Sequence, residues 1–284
     1  MRYIFLLICF LPLLIQAQTV CTAESRERLE SMLEELSRME LQGKSINELN
    51  VLIGQKFLGT PYVEKTLELP GEEKLVINLT GLDCTTYLET VVTLTRMAKL
   101  GKNTFEDYEQ ELEILRYRDG MRQDYPSRLH YFSDWIYQNQ RKGLLKDITK
   151  EIGGRSYANN PSFMSSNPQY YAQLGNPEYV ERLKLYESEI SDRTYYYIPK
   201  EEISQNENKI KPGDLIAITT SMKNLDIVHV GFAVEKEGRI HLLHAGTKNM
   251  KVEISEKPLH DYLKGNKSQS GIMVGRLMEP DKAF

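Results

Sequence analysis

"VHVGFAVEKEGRIHLLHAG" (residues 228–246) is the stretch that decides how this chain folds. Two runs of aliphatic and aromatic residues flank the turn-forming "EKEG", which predicts a β-hairpin. Side chains alternate across a strand, so His229, Gly231 and Ala233 share one face, with Val228, Val230, Phe232 and Val234 on the other. On the second strand Ile240, Leu242 and His244 share a face and His241 points away. A turn at Lys236-Glu237 would set His229 directly across from His244, whereas a three-residue loop including Gly238 would shift the register by one and separate them. Pairing rules leave both registers open. A face with one histidine and two small residues has room for a helix end to come close.

"DLIAITTS" (214–221), entered through the sharp turn Lys211-Pro212-Gly213-Asp214, and "GIMVGRLM" (271–278) read as further strands. The earlier chain is mostly helical. Residues 25–40 are amphipathic, Ser45 and Glu48 form a capping box for a helix to about Leu58, and Gly59-Thr60-Pro61 stops it. "KLVINLT" (74–80) reads as a strand, and helices are expected from Cys84 to Leu100, over 103–117 and over 127–143. Residues 151–200 are rich in turn signals, with a helix from the Asn176-Pro177 cap to about Ile190. Helices first and an antiparallel sheet last predict an α+β fold.

The 284 residues suffice for one large domain. A net charge of −4, with no basic excess, argues against nucleic acid as a partner. The apolar run 3–15 after Met1-Arg2, ending in "IQA", reads as a signal peptide cleaved near Ala17, too short to span a membrane. The mature chain, 18–284, is then expected to be one exported catalytic domain without stable membrane insertion. Lipid attachment at Cys21 does not fit, because "QTV" lacks the leucine and small residues expected before a modified cysteine. With Cys9 removed, Cys21 falls in a frayed N-terminus and Cys84 is a free thiol, a liability in an oxidising compartment unless the thiol is used.

"TGLDCTTYLET" (80–90) places that thiol. Asp83 is a good N-cap, so Cys84 is the first helical residue, where the helix dipole favours a thiolate. A thiolate nucleophile needs a base, and the base needs a polar group to hold its tautomer. Cys84, His229 and His244 could fill these roles if the histidines pair. The same three residues lack a fourth ligand or tight spacing for zinc, so no metal or cofactor is expected.

These fragments also carry a resemblance. "FLGTPYV" (57–63), "LDCTTYLE" (82–89), "KPGDLI" (211–216), "DIVHVGF" (226–232) and "LLHAGT" (242–247) occur in the order found in NlpC-type papain-like cysteine hydrolases. "SRLHYFSDWI" (127–136) and the tail "LHDYL…GIMVGRL" (259–277) make the chain most similar to an N-acetylmuramoyl-L-alanine amidase-like subfamily. The resemblance implies a papain-like core, with a nucleophile helix packed on an antiparallel sheet or half-barrel. It implies Cys84 as nucleophile, His229 as base and His244 as orienting residue, and with them the paired register. It further implies a periplasmic enzyme that hydrolyses the amide between the lactyl group of N-acetylmuramic acid and L-alanine in peptidoglycan fragments (muropeptides). Two alternatives are a stem-peptide endopeptidase cutting after D-glutamate and an inactive muropeptide-binding protein. Thr85-Thr86 departs from the Ser-Gly that usually follows the family's cysteine.

The segment at about 104–205 exceeds what such a core needs and reads as a helical and loop-rich insertion. Twelve of the 17 tyrosines fall between 117 and 197, together with Trp135. Aromatic faces suit sugar stacking, and arginine suits a substrate carboxylate. Trp135, Arg128 and His130 are therefore expected at the substrate, together with Asp83 and with Tyr62, whose hydroxyl could assist the Cys84 N–H in holding an oxyanion.

Overall fold

The structure, a computed structural model, describes residues 19–41 and 43–280. The expected signal peptide lies outside them. The chain folds as α+β. It opens with β1 (Thr19–Cys21), α1 (Ala23–Arg38), α2 (Ile46–Gln55), β2 (Leu75–Ile77), α3 (Cys84–Leu100) and α4 (Phe105–Arg116). It continues with α5 (Phe132–Arg141), β3 (Leu145–Asp147), β4 (Arg155–Tyr157), the single turn α6 (Phe163–Ser166), α7 (Pro177–Ser191) and β5 (Tyr195–Pro199). The last part comprises α8 (Ile203–Asn206), β6 (Leu215–Thr220), β7 (Ile227–Lys236), β8 (Arg239–Gly246), β9 (Lys251–Ile254), α9 (Leu259–Lys264) and β10 (Gln269–Leu277).

Eight of the strands form one sheet in the order β4-β5-β10-β6-β7-β8-β9, with β3 also on β10, and every pairing in it is antiparallel. Its two faces bury separate cores. Val230, Phe232, Val234 and Leu243 face α3 through Tyr87, Leu88, Val91 and Val92. Ile216, Ile218, Ala233 and Leu242 face α9 through Leu259 and Leu263. The body of α3 thus lies on the face with the large residues, not on the His229–Gly231–Ala233 face where the sequence suggested room.

The 104–205 segment is not walled off. Tyr108, Leu112, Trp135 and Ile190 join the core that contains α3, and β3 and β5 extend the main sheet along β10. Cys21 is not frayed either, because β1 pairs in parallel with β2 and sets Cys21 beside Ile77. Helix α5 starts at Phe132 rather than 127, since Tyr125–Ser127 makes a 3-10 turn and Arg128 is extended.

Candidate active site

The start of α3 is fixed by a reciprocal cap. Asp83 Oδ1 accepts from the Thr86 N–H at 2.7 Å, and the Asp83 N–H donates to Thr86 Oγ1 at 2.9 Å. Thr86 thereby does what a glutamate does in the usual capping box, and Cys84 is held at the first helical position. Before it, Asn78 Oδ1 accepts from the Thr80 and Gly81 N–H groups, closing the turn. The "GTPY" segment is pinned on both sides: Leu82 N–H donates to Pro61 O, and Tyr62 N–H to Met250 O.

The histidines come together by a register that neither hairpin alternative anticipated. The turn is Glu237-Gly238, both with positive φ, and Lys236 pairs with Arg239. The primed two-residue turn falls where the only glycine of "EKEG" can take its second position. This register differs by two residues from the one that would face His229 with His244, so both stay on one face as diagonal neighbours. Gly231 makes the diagonal contact feasible: a Cβ there would lie 2.7 Å from Leu243 O and 2.9 Å from His244 Cβ. His229 Nε2 and His244 Nδ1 are 2.6 Å apart, with the rings perpendicular.

The Cys84 thiol sits at the edge of this pair. The backbone of Val230, next to His229, lies at the sulfur, as does Thr85 through its backbone and side chain. Tyr62 and Tyr262 also feel its charge, and Tyr262 in turn sets its ring edge against His244, with centroids 5.4 Å apart. No hydrogen bond joins the thiol to either imidazole. Burial and then the neighbouring Asp83 carboxylate push the thiol up to about 12, against the expectation of a thiol lowered by the helix dipole. The carboxylate that caps the helix opposes the positive end it caps, and desolvation adds to it. Burial lowers His229 to about 4, and burial followed by His229 lowers His244 to about 3. At neutral pH the three groups are a thiol and two neutral imidazoles. Burial, then Cys84 and Asp83, keep the Tyr62 phenol protonated well above its ordinary range.

Other side chains expected at the substrate are committed elsewhere. Trp135 is fully buried, stacks on Phe132 and donates its indole N–H to Glu89 at 3.1 Å, so it offers no face to a sugar. Arg128 is buried against Glu68 at 2.7 Å and Glu73 at 3.5 Å. His130 Nε2 lies 2.8 Å from Tyr125 O, and burial keeps the ring neutral. These residues brace the loop 64–74 and α5. Asp83 serves the helix cap. Tyr62 alone of the five is at the thiol with a hydroxyl that no cap or ion pair consumes. Sequence reasoning missed Tyr262 and Glu253, the latter directly opposite His244 on β9. Tyr262 stands within the tail fragment that carries the resemblance, but no spacing ties it to Cys84. Among the described residues, no group of three or more histidines, cysteines and carboxylates is arranged to hold a metal ion.

Residues 52–272 match the model of the AmiA-like, N-acetylmuramoyl-L-alanine amidase-like family. The chain belongs to this family. An N-acetylmuramoyl-L-alanine amidase from Bacteroides uniformis is 39% identical, with a TM-score of 0.78 over 82% of this chain and 98% of that one. A Bacteroides fragilis protein provisionally described as a xylanase is 38% identical, with a TM-score of 0.74 over 80% and 100%. Protein LPG0564 from Legionella pneumophila is 25% identical, with a TM-score of 0.68 over 92% and 98%. No curated protein matches significantly. AmiA-like membership supports a hydrolase of the amidase type acting on peptidoglycan. The family match spans Cys84, His229, His244 and Tyr262 alike.

Proposed function

We propose that this protein is an exported cysteine amidase with a papain-like arrangement of nucleophile and base, cutting the bond between the lactyl group of N-acetylmuramic acid and L-alanine in soluble muropeptides. One observation carries the reading: the His229–His244 hydrogen bond of 2.6 Å, formed next to the Val230 backbone on which the Cys84 thiol rests. The amidase named in Bacteroides uniformis supports the choice of bond, and the "YIFLLICFLPLLIQA" leader supports export.

The mechanism follows from where the protons are. With His229 Nε2 engaged by His244, Nδ1 is the nitrogen left to act as base. Because thiol and imidazole are both neutral at rest, the proton moves from Cys84 to His229 Nδ1 as the sulfur attacks the lactyl carbonyl, not before. The oxyanion is held by the Cys84 N–H, which the Asp83 cap leaves free, and by the Tyr62 hydroxyl. The C–N bond breaks as His229 returns the proton to the departing amine of L-alanine. Water then adds to the thioester, giving a proton to His229, and the sulfur leaves and is reprotonated.

The test is mass spectrometry of N-acetylmuramyl-tetrapeptide incubated with residues 18–284 and with the Cys84→Ser variant. Free muramic sugar and intact tetrapeptide, absent with the variant, are expected. A sugar still carrying L-Ala-D-Glu would overturn the bond assignment and retain the nucleophile. No product from either protein would overturn the enzymatic reading.

A further inference from the structure

The hydrogen bond between the imidazoles can be made by either proton, and only one choice leaves His229 a base. If His229 Nε2 carries the proton, Nδ1 keeps its lone pair and His244 must carry its own proton on Nε2. If His244 Nδ1 is protonated instead, His229 is protonated on Nδ1 and cannot accept one from the thiol. The productive form therefore needs an acceptor for His244 Nε2, an atom that is buried and has no partner.

Glu253 stands ready to supply it. It is the residue of β9 directly paired with His244. Its Oε2 accepts from Asn249 Nδ2 at 2.7 Å, which leaves Oε1. A Cβ on Gly246 would lie 2.7 Å from Glu253 Oε1 and 3.1 Å from His244 Cε1, the ring carbon bonded to Nε2. Imidazole and carboxylate thus flank one space that a glycine keeps empty. A cavity of about 390 Å³ lined by His244, Glu253, Ser255 and Tyr262 adjoins it, with room for a bridging water. Glu256 and Asp261, also on that cavity, lie against Lys248 at 3.5 Å and His260 at 3.1 Å.

We infer that Glu253 is a positioning residue that accepts the Nε2 proton of His244, directly or through one water, and so fixes the tautomer in which His229 is a base. The kinetic part of this inference rests on the amidase reading; the tautomer does not. The experiment uses the mature chain and its Glu253→Leu, Glu253→Gln and Gly246→Ala variants. ¹⁵N NMR of the 5 histidines reads the tautomers, iodoacetamide alkylation at pH 7, resolved from the other free thiol, Cys21, by peptide mass spectrometry, reads Cys84, and kcat and KM are measured on the muropeptide. His244 is expected as the Nε2–H form in the parent and as a mixture in Glu253→Leu. That variant should lose about tenfold or more in kcat and in alkylation rate at unchanged KM. Glu253→Gln keeps an acceptor and should stay within about threefold. A parent His244 protonated on Nδ1, or a folded Glu253→Leu with unchanged tautomer and alkylation, would overturn the inference. If Glu253→Leu does not fold, an unchanged tautomer in Gly246→Ala, where the added Cβ displaces the carboxylate, would do the same. NMR and alkylation need no substrate, so they separate failure of this inference from failure of the amidase reading.

Discussion

The hairpin and the tyrosine-rich 117–197 segment both contain histidine, arginine and aromatic residues, yet they use their polar groups differently. In 117–197 every polar group discussed ends on the protein itself: His130 on Tyr125 O, Arg128 on Glu68 and Glu73, and Trp135 on Glu89. On the hairpin, His229 and His244 bond only to each other, one nitrogen of His244 is left over, and a thiol stands alongside. Buried polar atoms without a hydrogen bond occur in the 117–197 segment too, Arg128 Nε and Asn159 Oδ1 among them, so what sets the hairpin apart is a thiol standing beside two neutral imidazoles, not aromatic or cationic composition.

The strongest way to break this contrast is to delete the proposed nucleophile. Cys84→Ser should lower kcat on the muropeptide by at least about 10⁴-fold while leaving the thermal midpoint almost unchanged. Trp135→Ala should do the reverse. It should cost about 3–5 kcal/mol in urea unfolding, as truncation of a fully buried indole does, with KM unchanged in whatever protein remains folded. Arg128→Ala, which leaves Glu73 buried and unpaired, should cost a similar 3–5 kcal/mol with no change in KM. A rise in KM in either variant would return these residues to the substrate. Gly231→Ala sharpens the hairpin side. The added Cβ meets backbone and His244, so the histidines are pushed apart, and kcat should fall by about 10²-fold or more.

The smallest effect is on pH dependence. The imidazoles of His229, His244 and His130 all lie below their ordinary 6.5 in the folded chain. Below about 6.5 the unfolded chain therefore binds protons first, and stability falls as pH drops toward 4 and 3. The urea midpoint should be lower at pH 5.5 than at pH 7, with less change in His229→Asn. The acid limb of kcat/KM should follow His229 and fall near pH 4 rather than 6.5.

Local chemistry explains what was legible. The α+β order, the Asp83 cap and the shared face of the two histidines follow from period, capping and alternation, which act over a few residues. The hairpin turn was misplaced because "EKEG" allows several loops, and positive φ at Glu237 is uncommon for glutamate. Strand β5, "YYYIP", was hidden because its aromatic residues do not alternate with polar ones and its pairing with β10 is set by distant sequence. The fate of Arg128 and Trp135 depended on Glu68, Glu73 and Glu89, residues far apart in the chain that only the fold brings close. The thiol pKa was misjudged because desolvation is a property of the whole environment and not of a helix start.

That protonated thiol has a chemical consequence for the idle protein. Oxidation to sulfenic acid and exchange with disulfides both proceed through the thiolate. A sulfur held near 12 presents very little of that form at neutral pH, and in the mechanism proposed above it becomes nucleophilic only as His229 takes its proton. The burial that makes Cys84 slow to ionise therefore also disfavours its attack on peroxides and disulfides.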